Sequence, residues 1–174
     1  YVERPEFVKK LGNIAVEYHI ELYRKLLVEG VEIIVLGDDY AGKNGTFMSP
    51  AHFEEFVLPG LTKIVRFVKD AGGYVIKHTD GDIWKIMDML ISTGLDVLGP
   101  LEPAYMRLSE VRRYSKGRVG VMGNIDVDLL SCGSVQEVQQ ATRLLLKDMQ
   151  GLNGHILSSG NTISSSVKPE NFMA

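Results

Sequence analysis

Cysteine is nearly absent from this 174-residue chain. Cys132 stands alone, so an internal disulfide cannot form and a zinc site built from several cysteines is excluded. Such usage fits a reducing, cytoplasmic setting. An excess of positive charge is missing too. Lys and Arg number 19 against 22 Asp and Glu, for a net charge of −3, and with the basic residues scattered no nucleic-acid partner is expected. No apolar run approaches the ~20 residues that cross a bilayer, and the first residues carry no basic-then-apolar signal pattern. A membrane partner is therefore not expected either. Neither GxGxxG nor a P-loop occurs, no segment repeats another, and no low-complexity linker divides the chain. What is left is ordinary globular composition, 45% hydrophobic and 24% charged, long enough for one domain with a core.

The most informative stretch is Tyr74-Val75-Ile76-Lys77-His78-Thr79-Asp80-Gly81-Asp82. An apolar run that reads as a buried strand ends in a histidine, a threonine and a carboxylate. A glycine then frees the backbone, and an amphipathic run through Ile83, Ile86, Met87 and Leu90 begins. Polar groups at the carboxyl end of a strand, just before a helix, are where parallel α/β proteins place their chemistry.

Four other junctions share this form. Residues 5–29 carry Leu11, Ile14, Ala15, Tyr18, Leu22 and Leu26, the stripe of an amphipathic helix, with Pro5 in its first turn and Gly30 at its stop. Residues 31–36 read as a buried parallel strand ending in Gly37-Asp38-Asp39-Tyr40, followed by a mobile loop over 41–48. Ser49-Pro50 opens a helix to about residue 71 that Pro59 should kink. Further strands are expected at 95–98, 118–122 and 155–157, with a capping box at Ser134 and Glu137 opening the helix before the last of them. One helix followed by five βα units implies a parallel sheet covered by helices. Because all five strand ends are polar or glycine-rich, a (β/α)₈ barrel is favoured over an open doubly wound sheet. Five units fall short of eight, and the chain opens at Tyr1 and stops at Ala174 as a helix begins. The expectation is the C-terminal part of a longer barrel, taken as a single domain.

His78 and Asp80, two apart on an extended segment, point to the same side and could meet one metal or one substrate. The alternative is that Asp80 or Asp82 caps the next helix while His78 bonds to backbone. Asp38 and Asp39 are adjacent, so only one can face the barrel mouth; that one could be a general acid or could simply cap the following loop. Asn124 and Asp126 alternate in the same way, either at the mouth or in a turn. Asn161 after Gly160 offers an amide for substrate or, through its oxygen, for a metal, unless it is a turn residue. His19, His52 and His155 are isolated and read as surface or core histidines. Tyr105 and Met106 read as loop residues or as an apolar wall.

Taken in order, Gly37-Asp38-Asp39-Tyr40-Ala41-Gly42, Met48-Ser49-Pro50 with Phe53 and Leu58-Pro59, and His78-Thr79-Asp80-Gly81 resemble the uroporphyrinogen decarboxylase superfamily. So do Pro100-Leu101-Glu102-Pro103, Gly123-Asn124-Ile125-Asp126, Gly160-Asn161 and Pro169-Glu170-Asn171. The resemblance implies a (β/α)₈ TIM barrel of about twice this length. It also implies one of two chemistries. Decarboxylases remove acetate carboxyls from a tetrapyrrole without a cofactor, using an aspartate and arginines of the N-terminal half. Corrinoid-linked methyltransferases hold zinc with a His-x-Cys pair and a later cysteine.

Here His78 matches that histidine and Asp80 takes the cysteine's place. Asn161 stands where the later cysteine would be, and Asp39 where decarboxylases carry a substrate-contacting serine. The expectation is a methyltransferase-like enzyme that binds zinc or a harder divalent ion through His78 and Asp80, with Asn161 a doubtful third ligand. Asp39, His78 and Asp80 are its expected catalytic residues, and Asp38, Tyr40, Glu102, Asn124, Asp126 and Asn161 its expected substrate contacts. Expected partners are a small-molecule methyl donor, a corrinoid protein and a second copy in a homodimer. The alternatives are a cofactor-free uroporphyrinogen decarboxylase acting on a tetrapyrrole, and a silent barrel that binds a tetrapyrrole or a corrinoid protein.

Overall fold

Five parallel strands make the main sheet of the computed structural model, which describes residues 3–174: β1 (Ile33–Leu36), β4 (Tyr74–Lys77), β5 (Val97–Leu98), β6 (Gly120–Ile125) and β7 (His155–Ser159). They lie side by side in chain order, and every neighbouring pair is parallel. A doubly wound sheet reverses its order at a switch point. This one never does, so it is wound in one sense, as a barrel is.

Helices connect the strands. α1 (Pro5–Val28) ends in a Schellman turn: Gly30 at φ +90 donates to the Leu27 carbonyl and Val31 donates to that of Leu26. Gly72 closes α3 (Leu58–Asp70) in the same way. Before it, α2 (Pro50–Phe56) is capped by the Ser49 hydroxyl, which accepts from the His52 amide. Pro59 does not kink one long helix. The chain breaks at Val57, and the proline sits in the first turn of α3, where its missing N–H costs nothing. Beyond β4 come a 3₁₀ turn (Trp84–Ile86) and α4 (Met87–Ser92), and beyond β5 comes α5 (Leu108–Tyr114). β6 runs three residues past its expected end and leads into the short α6 (Val127–Cys132), which the sequence reading missed. The capping box at Ser134 and Glu137 opens α7 (Val135–Asp148) as expected, and α8 (Pro169–Phe172) follows β7.

The loop expected to be mobile is a small hairpin, β2 (Ala41–Gly42) with β3 (Gly45–Thr46), with Gly45 at φ +101. Ala41 is buried in the core and Gly42 lies against Gly81, so the hairpin leans on the junction after β4.

The two faces of the sheet differ sharply. Ile34, Leu36, Val75, Leu98 and Val121 face the helices and are buried with Leu61, Val65 and Val68 of α3. The opposite face carries Ile33, Val35, Tyr74 and Ile156, and Val35 is 56% exposed where its neighbour Leu36 is 5%. The apolar stripe of α1 is also open, with Phe7, Leu11, Ile14 and Tyr18 on the surface. The helix instead buries Ile20 and Tyr23. Periodicity thus located the helix but not the face that packs here. Met106, expected as a loop residue or an apolar wall, is a fully buried core residue.

Candidate metal centre at the strand ends

Strand parity places the chemistry. In β4 the helix-facing residues are Val75 and Lys77, so His78 and Asp80 fall on the open face just past the strand's carboxyl end. β1 ends beside it, and Asp39 arrives from there. His78 Nε2 lies 3.4 Å from Asp39 Oδ1 and 3.4 Å from Asp80 Oδ1. One ligand atom from each of the three residues lies within 4.8 Å of the others. Tetrahedral ligands at ~2.1 Å from an ion sit about 3.4 Å apart. The spacing therefore suits an ion better than strong direct hydrogen bonds, which are shorter.

Backbone and amide groups hold these carboxylates in place. The Asp80 amide donates to Asp39 Oδ1 at 3.1 Å. Asn161, after β7, donates through Nδ2 to Asp80 Oδ1 at 3.1 Å and to Glu102 Oε1 at 3.2 Å. Glu102 is fixed again by the Gly81 amide, at 2.8 Å from its Oε2. Gly81 is at φ +76, and a Cβ there would overlap the Gly42 backbone, so only glycine lets the hairpin close over this corner. Three carboxylates from three strand ends thus meet one imidazole and one amide.

His78, Asp80, Asp39, Glu102 and Asn161 are therefore brought together. Asn161 enters as a hydrogen-bond donor: its Oδ1 accepts from the Thr162 amide at 2.7 Å while Nδ2 faces the carboxylates, so it orders ligands and is not one in this arrangement. Asp38, as adjacency required, faces elsewhere. It lines a cavity of about 520 Å³ between α1, α2, α3 and the end of β1, together with Tyr23 and Tyr40. Burial, with the Asp38 carboxylate second, pushes the Tyr40 hydroxyl well above its ordinary range. Asn124 is buried and donates to the Met106 carbonyl at 2.9 Å, while Asp126 caps α6 through the Asp128 amide at 2.7 Å. Both of these are engaged within the fold. His155 Nε2 meets the Gly123 carbonyl at 2.9 Å, in line with a structural histidine.

Two neighbours have roles that the sequence reading did not assign. Thr79 is buried, and its hydroxyl accepts from the Tyr40 amide at 2.8 Å. Lys77 is fully buried, and burial brings its ammonium down to about 8 against the opposing pull of Asp38 and Asp39. A lysine in an otherwise apolar strand, in step with Val75, was the signal available.

The donor set fits a divalent ion: one imidazole nitrogen and two carboxylate oxygens. Among the described residues, none gives buried His78 Nδ1 a hydrogen-bond partner, whereas metal-binding histidines usually donate that N–H to an acceptor.

Sheet order and site together define a protein of the parallel-barrel class with its polar groups at the strand ends. The model of the family "Uroporphyrinogen decarboxylase (URO-D)" matches residues 1–174, and the chain belongs to that family. It is 27% identical over 167 residues to the uroporphyrinogen decarboxylase of Pseudoalteromonas translucida, covering 93% of this chain and 44% of that protein. The enzyme of Ruthia magnifica is 26% identical over 170 residues, covering 95% and 45%. Among solved structures, a methyltransferase from Methanosarcina mazei superposes with a TM-score of 0.83 at 20% identity, over 98% of this chain and 48% of that one. The chain thus spans less than half the length of these relatives. No helix among the described residues is long and apolar enough to cross a membrane.

Proposed function

We propose that this chain carries the metal-binding strand ends of a methyltransferase-like member of the family, working with a corrinoid protein. The observation that carries the reading is the convergence of Asp39, His78 and Asp80 around a space of ion size. Zinc or a harder divalent ion is the expected occupant, since oxygen donors outnumber nitrogen. Such an ion would supply Lewis acidity, polarising a methyl donor or lowering the pKa of a bound thiol. The protein's own groups do the positioning. Asp39 and Asp80 supply negative charge, Asn161 spans Asp80 and Glu102, and the Gly81 amide holds Glu102 in place.

A second reading has its own support. The two curated relatives above are named as decarboxylases and align along nearly the whole chain. On that reading the same carboxylates and His78 contact a tetrapyrrole, and no ion is needed. One pair of assays separates the two. Methyl transfer to a thiol and decarboxylation of uroporphyrinogen are measured on the intact protein, before and after exhaustive chelation. Methyl transfer lost on chelation and restored by zinc supports the first reading. Full decarboxylation by metal-free protein overturns it in favour of the second.

A further inference from the structure

Row by row, the helix-facing side of the sheet reads Leu36, Lys77, Leu98, Val121, with Lys77 and Leu98 directly paired. Three of these residues are apolar and all four are buried. A lysine belongs in such a row only if something satisfies its ammonium. Lys77 Nζ donates to the Asp38 carbonyl, to the His78 carbonyl at 2.6 Å and, more distantly, to that of Leu36 at 3.4 Å. It also sits 4.1 Å from the centre of the Tyr40 ring. No carboxylate is among these contacts. The ammonium is spent on backbone, and the backbone it binds is the end of β1 and the end of β4.

Those two ends deliver Asp39 and His78. Asp38 O belongs to the peptide unit that leads into Asp39, and His78 O to the one that leads into Thr79 and Asp80. Around the lysine the same two segments are joined by the His78 amide to Leu36 O (2.9 Å), the Tyr40 amide to Thr79 Oγ1 (2.8 Å) and the Asp80 amide to Asp39 Oδ1 (3.1 Å). We propose that Lys77 is a positioning residue. Its buried ammonium clamps the ends of β1 and β4 from behind, so that Asp39, His78 and Asp80 are set at ion-binding distance on the opposite face. The inference rests on the metal reading for its purpose, but the clamp has a signature of its own.

The test uses the intact protein with Lys77→Met, which keeps the length and loses the charge. Val75→Ala, on the same strand and the same buried face, controls for a loss of stability alone. Amide hydrogen exchange is followed without metal, and zinc affinity by competition with a chelator. In Lys77→Met the Tyr40 and Asp80 amides should exchange at least tenfold faster relative to the Val121 amide, and zinc affinity should fall by about 10–100-fold, as for other supporting groups of metal ligands. Val75→Ala should lower the melting temperature and leave the exchange ratio and the affinity unchanged. If Lys77→Met does not fold, Tyr40→Leu, which removes the ring beside Nζ, should speed the Asp80 amide in the same sense. Unchanged exchange ratios in the folded variant, or equal effects from Val75→Ala, would overturn the proposal. Wild-type protein that binds no zinc but shows the exchange effect would sink the metal reading and leave the clamp standing.

Discussion

His78 is the residue on which the site turns, because its Nε2 is the atom both carboxylates face. His78→Ala should lower affinity for a divalent ion by at least ~100-fold, since one of three protein ligands is lost. Asp80→Cys should tighten zinc, sulfur being the softer donor. Chelator competition followed by elemental analysis reads both. Gly81→Ala is a different kind of change. A left-handed backbone costs an L-residue roughly 1–2 kcal/mol, and the added carbon also meets Gly42. The melting temperature should drop, and zinc affinity should drop with it, because the clash shifts the backbone whose amide at position 81 holds Glu102. Much of this was legible in the sequence. The i, i+2 spacing of His78 and Asp80 needs only strand geometry to put both on one side, and adjacency alone forces Asp38 and Asp39 apart. Asn161 was legible as a strand-end amide, but not which of its two polar atoms would face the acids. Lys77 stands out as a lysine in an apolar strand, but its partners are backbone carbonyls, which carry no sequence signal.

At the level of elements, what could be read was local. The helix stops at Gly30 and near residue 71 and the capping box at Ser134 follow from short-range chemistry, and all three formed where expected. The glycines of 41–48 give a turn signal, but the pairing of β2 with β3 rests on burial of Ala41 and packing on Gly81, which the local sequence does not show. Capping makes a pH prediction. The Glu137 carboxyl is held below its ordinary value, first by the Ser134 amide and then by the Ser134 hydroxyl. A folded-state pKa below the unfolded one stabilises the fold above the unfolded value and loses that contribution as pH falls through the folded one. Glu137→Gln should therefore flatten the acid limb of the stability curve below about pH 4.5, and Ser134→Ala should cost about 1 kcal/mol at neutral pH. Thermal melts from pH 7 down to 3 measure both.

The whole molecule is uneven. One face of the sheet is packed under helices, and the other presents Ile33, Val35, Tyr74 and Ile156 to solvent, with the α1 stripe of Phe7, Leu11, Ile14 and Tyr18 also open. Among the described residues β1 and β7 are the edges of the sheet, each with one unpaired side. Open apolar faces and unpaired edges favour association. Residues 1–174 expressed alone should self-associate, and a monodisperse monomer by light scattering with one cooperative melt would contradict this. The sheet nevertheless gathers His78, Asp80, Asp39, Glu102 and Asn161 at one end, because parallel strands in chain order bring all their carboxyl ends to the same rim. The central claim is that this rim holds an ion. Equilibrium dialysis of the intact protein against zinc, with bound metal counted by elemental analysis, tests it most directly. One ion per chain, lost in each of Asp39→Ala, His78→Ala and Asp80→Ala while the fold persists, is the predicted result. No bound ion in the wild type, or the same metal content in all three variants, would contradict it.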